Sequence, residues 1–167
     1  MIMMYYPVEM WLERGFGHEE GYSNRSKQAD PGGETKWGIS KRSYPDLDIK
    51  NLSKSEAADI YRRDFIAPLI KKDLPPSIVY QLFDFAIHSG VITAVKQIQK
   101  TLNIPMTGVI DVHTAAKVYV TSESDLVMRI TARRIRFLKS LDNWEANKDG
   151  WMERIATNLE YGAEDTD

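Results

Sequence analysis

The sequence contains no cysteine, only three histidines and no long apolar run. The absence of cysteine excludes thiol nucleophiles, thiolate metal sites and disulfides. His18, His88 and His113 are not spaced as a metal cluster, and no His-Glu-x-x-His motif is present. The Gly-x-Ser-x-Gly elbow of serine hydrolases is also absent. We therefore expect an activity that needs no metal and no cofactor, and in which carboxylates carry the chemistry.

The charge of the chain is nearly balanced, because it contains 22 Lys and Arg residues and 24 Asp and Glu residues. A general nucleic-acid binder would be strongly basic, so we expect no nucleic-acid partner. The apolar stretches are far shorter than the ~20 residues of a membrane-spanning helix, so we expect no stable membrane insertion. Glu9 and Glu13 interrupt the N-terminus where a signal peptide would continue. This pattern favours synthesis without a secretory signal.

The first 40 residues predict a helix that leads into a small β-hairpin. Pro7 suits the first turn of a helix, and Gly21 suits the position after its end. The helix should therefore end at Glu19 or Glu20. Turn residues follow at 30–33, and the next positions alternate as in a strand: Thr35, Trp37 and Ile39.

The remainder of the chain predicts helices, which makes the expected fold mainly α. Ser53 to Arg63 opens with a capping box, and the segment after Pro75-Pro76 is apolar on most of its surface, as in a buried core helix. Further helices are expected at 92–102, from Val112, and at 125–141. The last of these helices should expose its arginines to solvent, namely Arg129, Arg133, Arg134 and Arg136. The polar tail Ala163–Asp167 is expected to fray.

The carboxylates concentrate where the first helix meets the hairpin. Glu19 falls at the negative end of the helix dipole, which raises a carboxyl pKa as a general acid near neutral pH requires. Asp30 precedes a tight turn and Thr35 begins a strand, so a hairpin can fold both over the helix end. Such an arrangement indicates glycoside cleavage. Spacing alone leaves ordinary interpretations open: a solvated helix end, a turn residue and a strand residue.

Three segments share a family pattern: His18–Tyr22, Asp30–Ser40 and Leu82–Gly90. Together they resemble glycoside hydrolase family 108, whose members are phage-type N-acetylmuramidases found as endolysins and as secretion-associated muramidases. The family motif reads Glu-Gly-Gly-Tyr, then Asp-Pro-Gly-Gly-x-Thr-x-x-Gly-Ile-Thr. Anchored on Gly21-Tyr22, the catalytic glutamate of the family falls on Glu19, and Glu20 replaces the usual first glycine.

The resemblance implies an α+β lysozyme-like fold, a helical bundle in which the small β-hairpin carries part of the active site. The implied activity is cleavage of the β-1,4 bond between N-acetylmuramic acid and N-acetylglucosamine in bacterial peptidoglycan, with the glycan strands as partner. Glu19 would protonate the leaving oxygen. Asp30 would stabilise positive charge or activate water, and Thr35 would orient that water. We favour inversion, because no second carboxylate is obviously placed as a nucleophile.

Three further residues are predicted to bind substrate, namely Tyr22, Trp37 and His88. The aromatic rings could stack on sugars, although large aromatic residues also pack in cores. His88 stands where the family usually has asparagine. A closing Gly-Trp-x-x-Arg motif recurs at Gly150–Arg154, where Trp151 has the same two interpretations. Asp84 lies between two phenylalanines and is expected to make a buried structural hydrogen bond.

The second half of the chain has a resemblance of its own. Residues 98–102 and 108–114 are similar to helical peptidoglycan-binding modules. We therefore predict a lysozyme-like catalytic lobe at 1–91 and a helical C-terminal subdomain at 92–167. The alternative is a simple helix-turn-helix corner in which Asp111 caps a helix.

Two other functions remain open at this point. A lytic transglycosylase would use the same glutamate, with the 6-hydroxyl of the sugar in place of water. A catalytically silent wall-binding or secretion-apparatus protein would need none of the three predicted catalytic residues. For a muramidase we expect a monomer that is made in the bacterial cytoplasm without a signal peptide. A holin or a secretion system would release it to act on the wall in the periplasm.

Overall fold

The computed structural model describes residues 4–18, 21–24 and 33–166. A helix over Val8–His18 (α1) precedes a hairpin of Thr35–Lys36 (β1) and Ile39–Ser40 (β2). The helix Lys54–Ile60 (α2) then runs into a π-helical turn at Tyr61–Ile66. The remaining helices are Pro76–Ser89 (α3), Val91–Thr101 (α4), Val112–Tyr119 (α5), Glu123–Lys139 (α6) and Trp144–Asp165 (α7). The prediction of a mainly α fold with a small β-hairpin is confirmed.

Helix α3 lies at the centre of the molecule. Every residue from Ser77 to Ala86 is buried, which confirms the predicted core helix. Helices α4, α6 and α7 and the π-helical turn all pack against it. Elements from both halves of the chain therefore share one core, which extends from Trp11 to Ile130. The division into a catalytic lobe at 1–91 and a C-terminal subdomain at 92–167 stays a prediction.

The capping box predicted for α2 is present. The Ser53 hydroxyl accepts a hydrogen bond from the Glu56 backbone N–H, and the Glu56 carboxylate accepts one from the Ser53 N–H at 2.8 Å. Because the box satisfies two backbone donors, it fixes where the helix begins. After Ile60 the helix widens into the π-helical turn, which the sequence pattern did not indicate. No helix in the described part of the chain is long and apolar enough to cross a membrane.

Two expectations for the C-terminal helices are wrong. Arg134 does not face solvent, because its side chain is buried against α3 and pairs with Asp84. The tail also does not fray before residue 165, because α7 continues to Asp165. The Arg14 guanidinium donates two hydrogen bonds to the Asp165 carboxylate, at 2.7 and 3.0 Å, and lies 4.0 Å from the centre of the Tyr161 ring. A bidentate charged pair with a stacked ring holds the end of α7 on α1.

Two glycines of α7 provide a matched test of the packing between α6 and α7. A Cβ atom on Gly162 would lie 2.6 Å from Cγ1 of Val127, whereas one on Gly150 would meet none of the described atoms within 4 Å. We expect Gly162→Ala to lower the free energy of unfolding by about 1–3 kcal/mol, because it overpacks a helix contact. Gly150→Ala should raise it by about 0.5–1 kcal/mol through helix propensity. Urea denaturation measures both changes, and equal effects would contradict the close approach at Gly162.

Candidate active site

The end of α1 lies beside the end of α3. Trp11, Leu12 and Phe16 bury one face of α1, and Gly15 lets the helix approach Phe83 and Ile87 closely. The described part of the helix ends at His18, and its predicted end at Glu19 or Glu20 lies outside the described residues. Two of the three predicted catalytic residues, Glu19 and Asp30, lie outside the described residues.

The hairpin is shorter than predicted, because Trp37 is not a strand residue. Thr35 pairs with Ser40, and the two residues between the strands, Trp37 and Gly38, have φ angles of 53° and 76°. Two consecutive positive φ angles are typical of the tight turn that joins antiparallel strands. Glycine adopts this conformation freely, but a bulky residue rarely does. The alternation of Thr35, Trp37 and Ile39 therefore predicted the hairpin correctly and the position of Trp37 wrongly.

Backbone hydrogen bonds to two neighbouring segments hold Thr35 in place. It pairs with Ser40 across the hairpin, and it exchanges two 2.8 Å hydrogen bonds with the backbone of Ser23. Within the described residues, the Thr35 hydroxyl makes no side-chain hydrogen bond. The backbone thus fixes where Thr35 lies and leaves its hydroxyl available for another partner.

Trp37 is anchored by three contacts. Its indole N–H donates to the Leu52 carbonyl at 3.3 Å, its ring meets Phe16 edge-on at 5.8 Å, and its own carbonyl accepts the Tyr61 hydroxyl at 2.6 Å. Tyr61 is the first residue of the π-helical turn, so that turn supports the hairpin. Trp37 is half-buried. Its predicted contact with substrate stays a prediction.

Tyr22 lies on the surface beside the hairpin. Its side chain is exposed, and its hydroxyl donates a 2.7 Å hydrogen bond to the carboxylate of Glu34. Such an exposed ring is accessible to a sugar. The role of Tyr22 in substrate binding stays a prediction as well.

His88 is half-buried at the end of α3, between two arginines. Nη2 of Arg134 lies 3.0 Å from Nδ1, and Nη1 of Arg154 lies 3.4 Å from Nε2. A guanidinium only donates, and a neutral imidazole has one acceptor, so only one of these contacts is a hydrogen bond. The shorter contact assigns the acceptor to Nδ1 and the proton to Nε2. Burial, followed by the charges of Arg154 and Arg134, lowers the pKa of His88 well below its ordinary value, so the ring is neutral.

Behind His88 lies a buried polar cluster centred on Asp84, which has no exposed surface. Arg154 donates to both carboxylate oxygens, Arg134 donates at 2.7 Å, and the Asn158 amide donates to Oδ2. Burial alone would raise the pKa of Asp84, but the charges of Arg154 and Arg134 outweigh it and hold the pKa far below its usual range. The prediction that Asp84 makes a buried structural hydrogen bond is confirmed.

The arginines of this cluster are the residues that sequence reasoning missed. A carboxylate inside a core helix needs a counter-charge, so Asp84 alone signalled a buried cation. The sequence offered four arginines on α6 and did not indicate which one turns inward. The structure brings together α3, α6 and α7 at this point, through Asp84, Arg134 and Arg154.

A cleft of about 670 Å³ opens elsewhere, between the π-helical turn and the loop before α5. None of the described site residues predicted from sequence lines it. Its one carboxylate, Asp64, hydrogen-bonds with Arg63 and Tyr44, and these bonds lower its pKa. A carboxylate in that state does not serve as a general acid near neutral pH. The other lining residues are mostly apolar, including Phe65, Pro68, Val91 and Val109.

Comparison with known families finds a match for the part of the chain that contains the hairpin and most of α1. Residues 12–90 match the family model described as glycosyl hydrolase 108. The match covers 79 of the 167 residues of the chain, from within α1 to the end of α3. It supports a glycoside hydrolase, and it indicates a peptidoglycan hydrolase of the muramidase type.

The fold has a solved counterpart. The chain is similar to the structure of SagA from Brucella abortus, with a TM-score of 0.85 and 29% sequence identity over 95% of each chain. This likeness extends beyond residues 12–90 into the C-terminal helices. It confirms the predicted mainly α, lysozyme-like fold. No curated protein matches the chain.

Proposed function

We propose that this protein is an N-acetylmuramidase, which hydrolyses the β-1,4 bond between N-acetylmuramic acid and N-acetylglucosamine in bacterial peptidoglycan. The observation that carries the proposal is the glycosyl hydrolase 108 match, because residues 12–90 contain Glu19, Asp30 and Thr35. The described geometry supports it, since the described part of α1 reaches His18, the residue before Glu19 in the sequence, and the hairpin holds Thr35 in place.

The proposed reaction uses one proton donor and one water. In this reaction Glu19 donates the proton to the leaving oxygen, and the sequence predicts it at the carbonyl end of the first helix, where the helix dipole favours the protonated carboxyl. Asp30 accepts a proton from the water as its oxygen bonds to the anomeric carbon, and the glycosidic C–O bond breaks. The Thr35 hydroxyl orients the water. Attack by a water on the opposite face of the sugar gives inversion.

The contributions of Asp30 and Thr35 are tested by shape-preserving variants. Asp30→Asn removes the charge, and Thr35→Val removes the hydroxyl and keeps the volume. We expect each to lower wall lysis by about 10²-fold or more, the scale of a lost base or electrostatic group, with little change in melting temperature. Thr35→Ser retains a hydroxyl and should keep most of the activity. Turbidity of purified cell walls measures the rate, and thermal melting of the same preparations measures stability.

The outcomes separate the alternatives. Purely structural roles would lower the melting temperature and keep specific activity. Near-normal turnover in both variants would remove the water-activating step and favour a lytic transglycosylase, which needs only the glutamate. An intact wild-type protein that never clears a wall suspension would indicate a silent wall-binding protein.

A further inference from the structure

Helix α7 places two tryptophans beside His88. The rings of Trp144 and Trp151 have centroids 6.2 Å apart, and Trp151 lies 5.7 Å from the imidazole of His88. All three side chains are half-buried, so each keeps part of its surface accessible. The ring planes are inclined by about 45–51°, so the three rings do not form one flat surface.

These two tryptophans do not have the surroundings of core residues. Trp11 is buried in the hydrophobic core, and Trp37 packs against that core from its edge. Trp144 and Trp151 belong neither to the core nor to the partly buried residues that pack against it in the described structure. Their ring contacts in the described structure are with each other and with the imidazole of His88. Core packing therefore does not account for two large aromatic residues at this place.

The polar groups next to the rings are oriented donors. With Nδ1 of His88 accepting from Arg134, the Nε2–H is a donor, and Nη1–H of Arg154 lies 3.4 Å from it. Two neighbouring donors cannot bond to each other, so Arg154 Nη1–H does not serve as the acceptor of the His88 Nε2–H. Asp84 accepts hydrogen bonds from both arginines and is itself held by the Asn158 amide, so these donors stand in a fixed arrangement. Fixed donors beside aromatic faces are typical of a small-molecule site.

This surface lies at the end of α3 that packs against α1. The contact of Gly15 with Ile87 sets the end of α1 against the end of α3. His88 follows Ile87 on α3, and His18, the last described residue of α1, precedes Glu19 in the sequence. On the proposed function, a glycan strand bound next to the end of α1 would have further rings within reach of α7.

We propose that Trp144, Trp151 and His88 form a subsite, the tryptophan subsite, that binds one N-acetylhexosamine ring of the glycan strand. The apolar C–H face of the sugar stacks on Trp151, with Trp144 closing one side. The acetamido oxygen accepts the hydrogen bond of the His88 Nε2–H. The proposal rests on the proposed function, because it takes the peptidoglycan strand as the ligand.

The test separates stacking from packing. Trp151→Leu keeps an apolar side chain and removes the aromatic face, whereas Trp151→Phe keeps a smaller aromatic face. We expect Trp151→Leu to raise KM, and the Kd for soluble glycan strands freed of peptides by an amidase, about tenfold. Its kcat should stay within about twofold of wild type. Trp151→Phe should recover most of the affinity. The matched control is Tyr5→Ala, which removes an aromatic ring that is 81% exposed, and it should change neither constant.

Each outcome decides the matter. An unchanged Kd in Trp151→Leu overturns the subsite. A lowered melting temperature with an unchanged KM overturns it as well. A wild-type protein that binds no glycan strand also overturns it. If the wild type binds strands through Trp151 and releases no product, the proposed hydrolysis fails and the subsite stands. If it cleaves walls normally and Trp151→Leu binds as tightly as wild type, the subsite alone fails.

Discussion

Replacing Glu19 by glutamine should abolish detectable lysis of cell walls and leave the fold intact. The amide keeps the shape of the side chain but has no acidic proton to transfer to the leaving oxygen. Loss of a general acid costs about 10²–10⁴-fold in rate. Turbidity assays give the rate, and circular dichroism with thermal melting shows whether the protein is still folded.

The adjacent glutamate is the matched control. Glu20 stands where the family usually has glycine, so Glu20→Gln should retain most of the activity. A reversal of the two results would shift the assignment by one residue and make Glu20 the acid. Equal activity of both variants and the wild type would remove general-acid catalysis by this segment altogether.

Replacing Asp84 by asparagine should cause the largest loss of stability. Asp84 is fully buried and pairs with Arg134 and Arg154, so Asp84→Asn leaves two guanidinium groups without their common counter-charge. Breaking a buried ion pair from one side costs about 3–5 kcal/mol in the free energy of unfolding. That is a large share of the ~5–15 kcal/mol that holds a typical domain together. Denaturation with urea at neutral pH measures the change.

A surface pair supplies the control for that variant. Asp59 pairs with Arg62 at 3.0 Å, but its side chain is 74% exposed. Asp59→Asn should therefore cost no more than about 1 kcal/mol. Similar costs for the two variants would show that Asp84 is not the centre of a buried cluster. If Asp84→Asn yields too little folded protein, Arg134→Gln removes one partner of Asp84 instead, and its free energy of unfolding tests the same cluster.

Local signals in the sequence were sufficient to predict most of the helices. The Ser53–Glu56 capping box and the Asp111 cap of α5 mark helix starts through hydrogen bonds between near neighbours. Pro75-Pro76 marks the start of α3 without a side-chain cap, because the proline ring fixes φ at a helical value. Such signals depend on a few consecutive residues, so they can be read without knowledge of the fold. The burial of α3 followed from apolar residues on most of its surface.

Features that depend on distant partners could not be predicted in this way. Arg134 faces inward because Asp84, 50 residues earlier, lies on the helix that α6 packs against. The end of α7 is ordered because Asp165 meets Arg14 across 151 residues. Trp37 adopts a left-handed turn conformation that residues of its type rarely take, and contacts from Leu52 and Tyr61 hold it there.

The same distinction between local signals and distant partners applies to the residues of the candidate site. Glu19, Asp30 and Thr35 are recognised by a motif whose spacing is visible in the sequence. His88 was also singled out, but its neutral state and its oriented Nε2–H depend on arginines from α6 and α7. The sequence left two interpretations open for Trp151, and its place outside the hydrophobic core of the described structure favours sugar stacking.

The most direct test of the central claim is the chemistry of the cleaved ends. Purified peptidoglycan is digested with the wild-type protein, reduced with borohydride and analysed by mass spectrometry. Hydrolysis between N-acetylmuramic acid and N-acetylglucosamine predicts reduced muramic acid at the new ends, and Glu19→Gln should give none. Ends of 1,6-anhydromuramic acid would show a lytic transglycosylase, and reduced glucosamine ends would show a glucosaminidase. Either result would contradict the account.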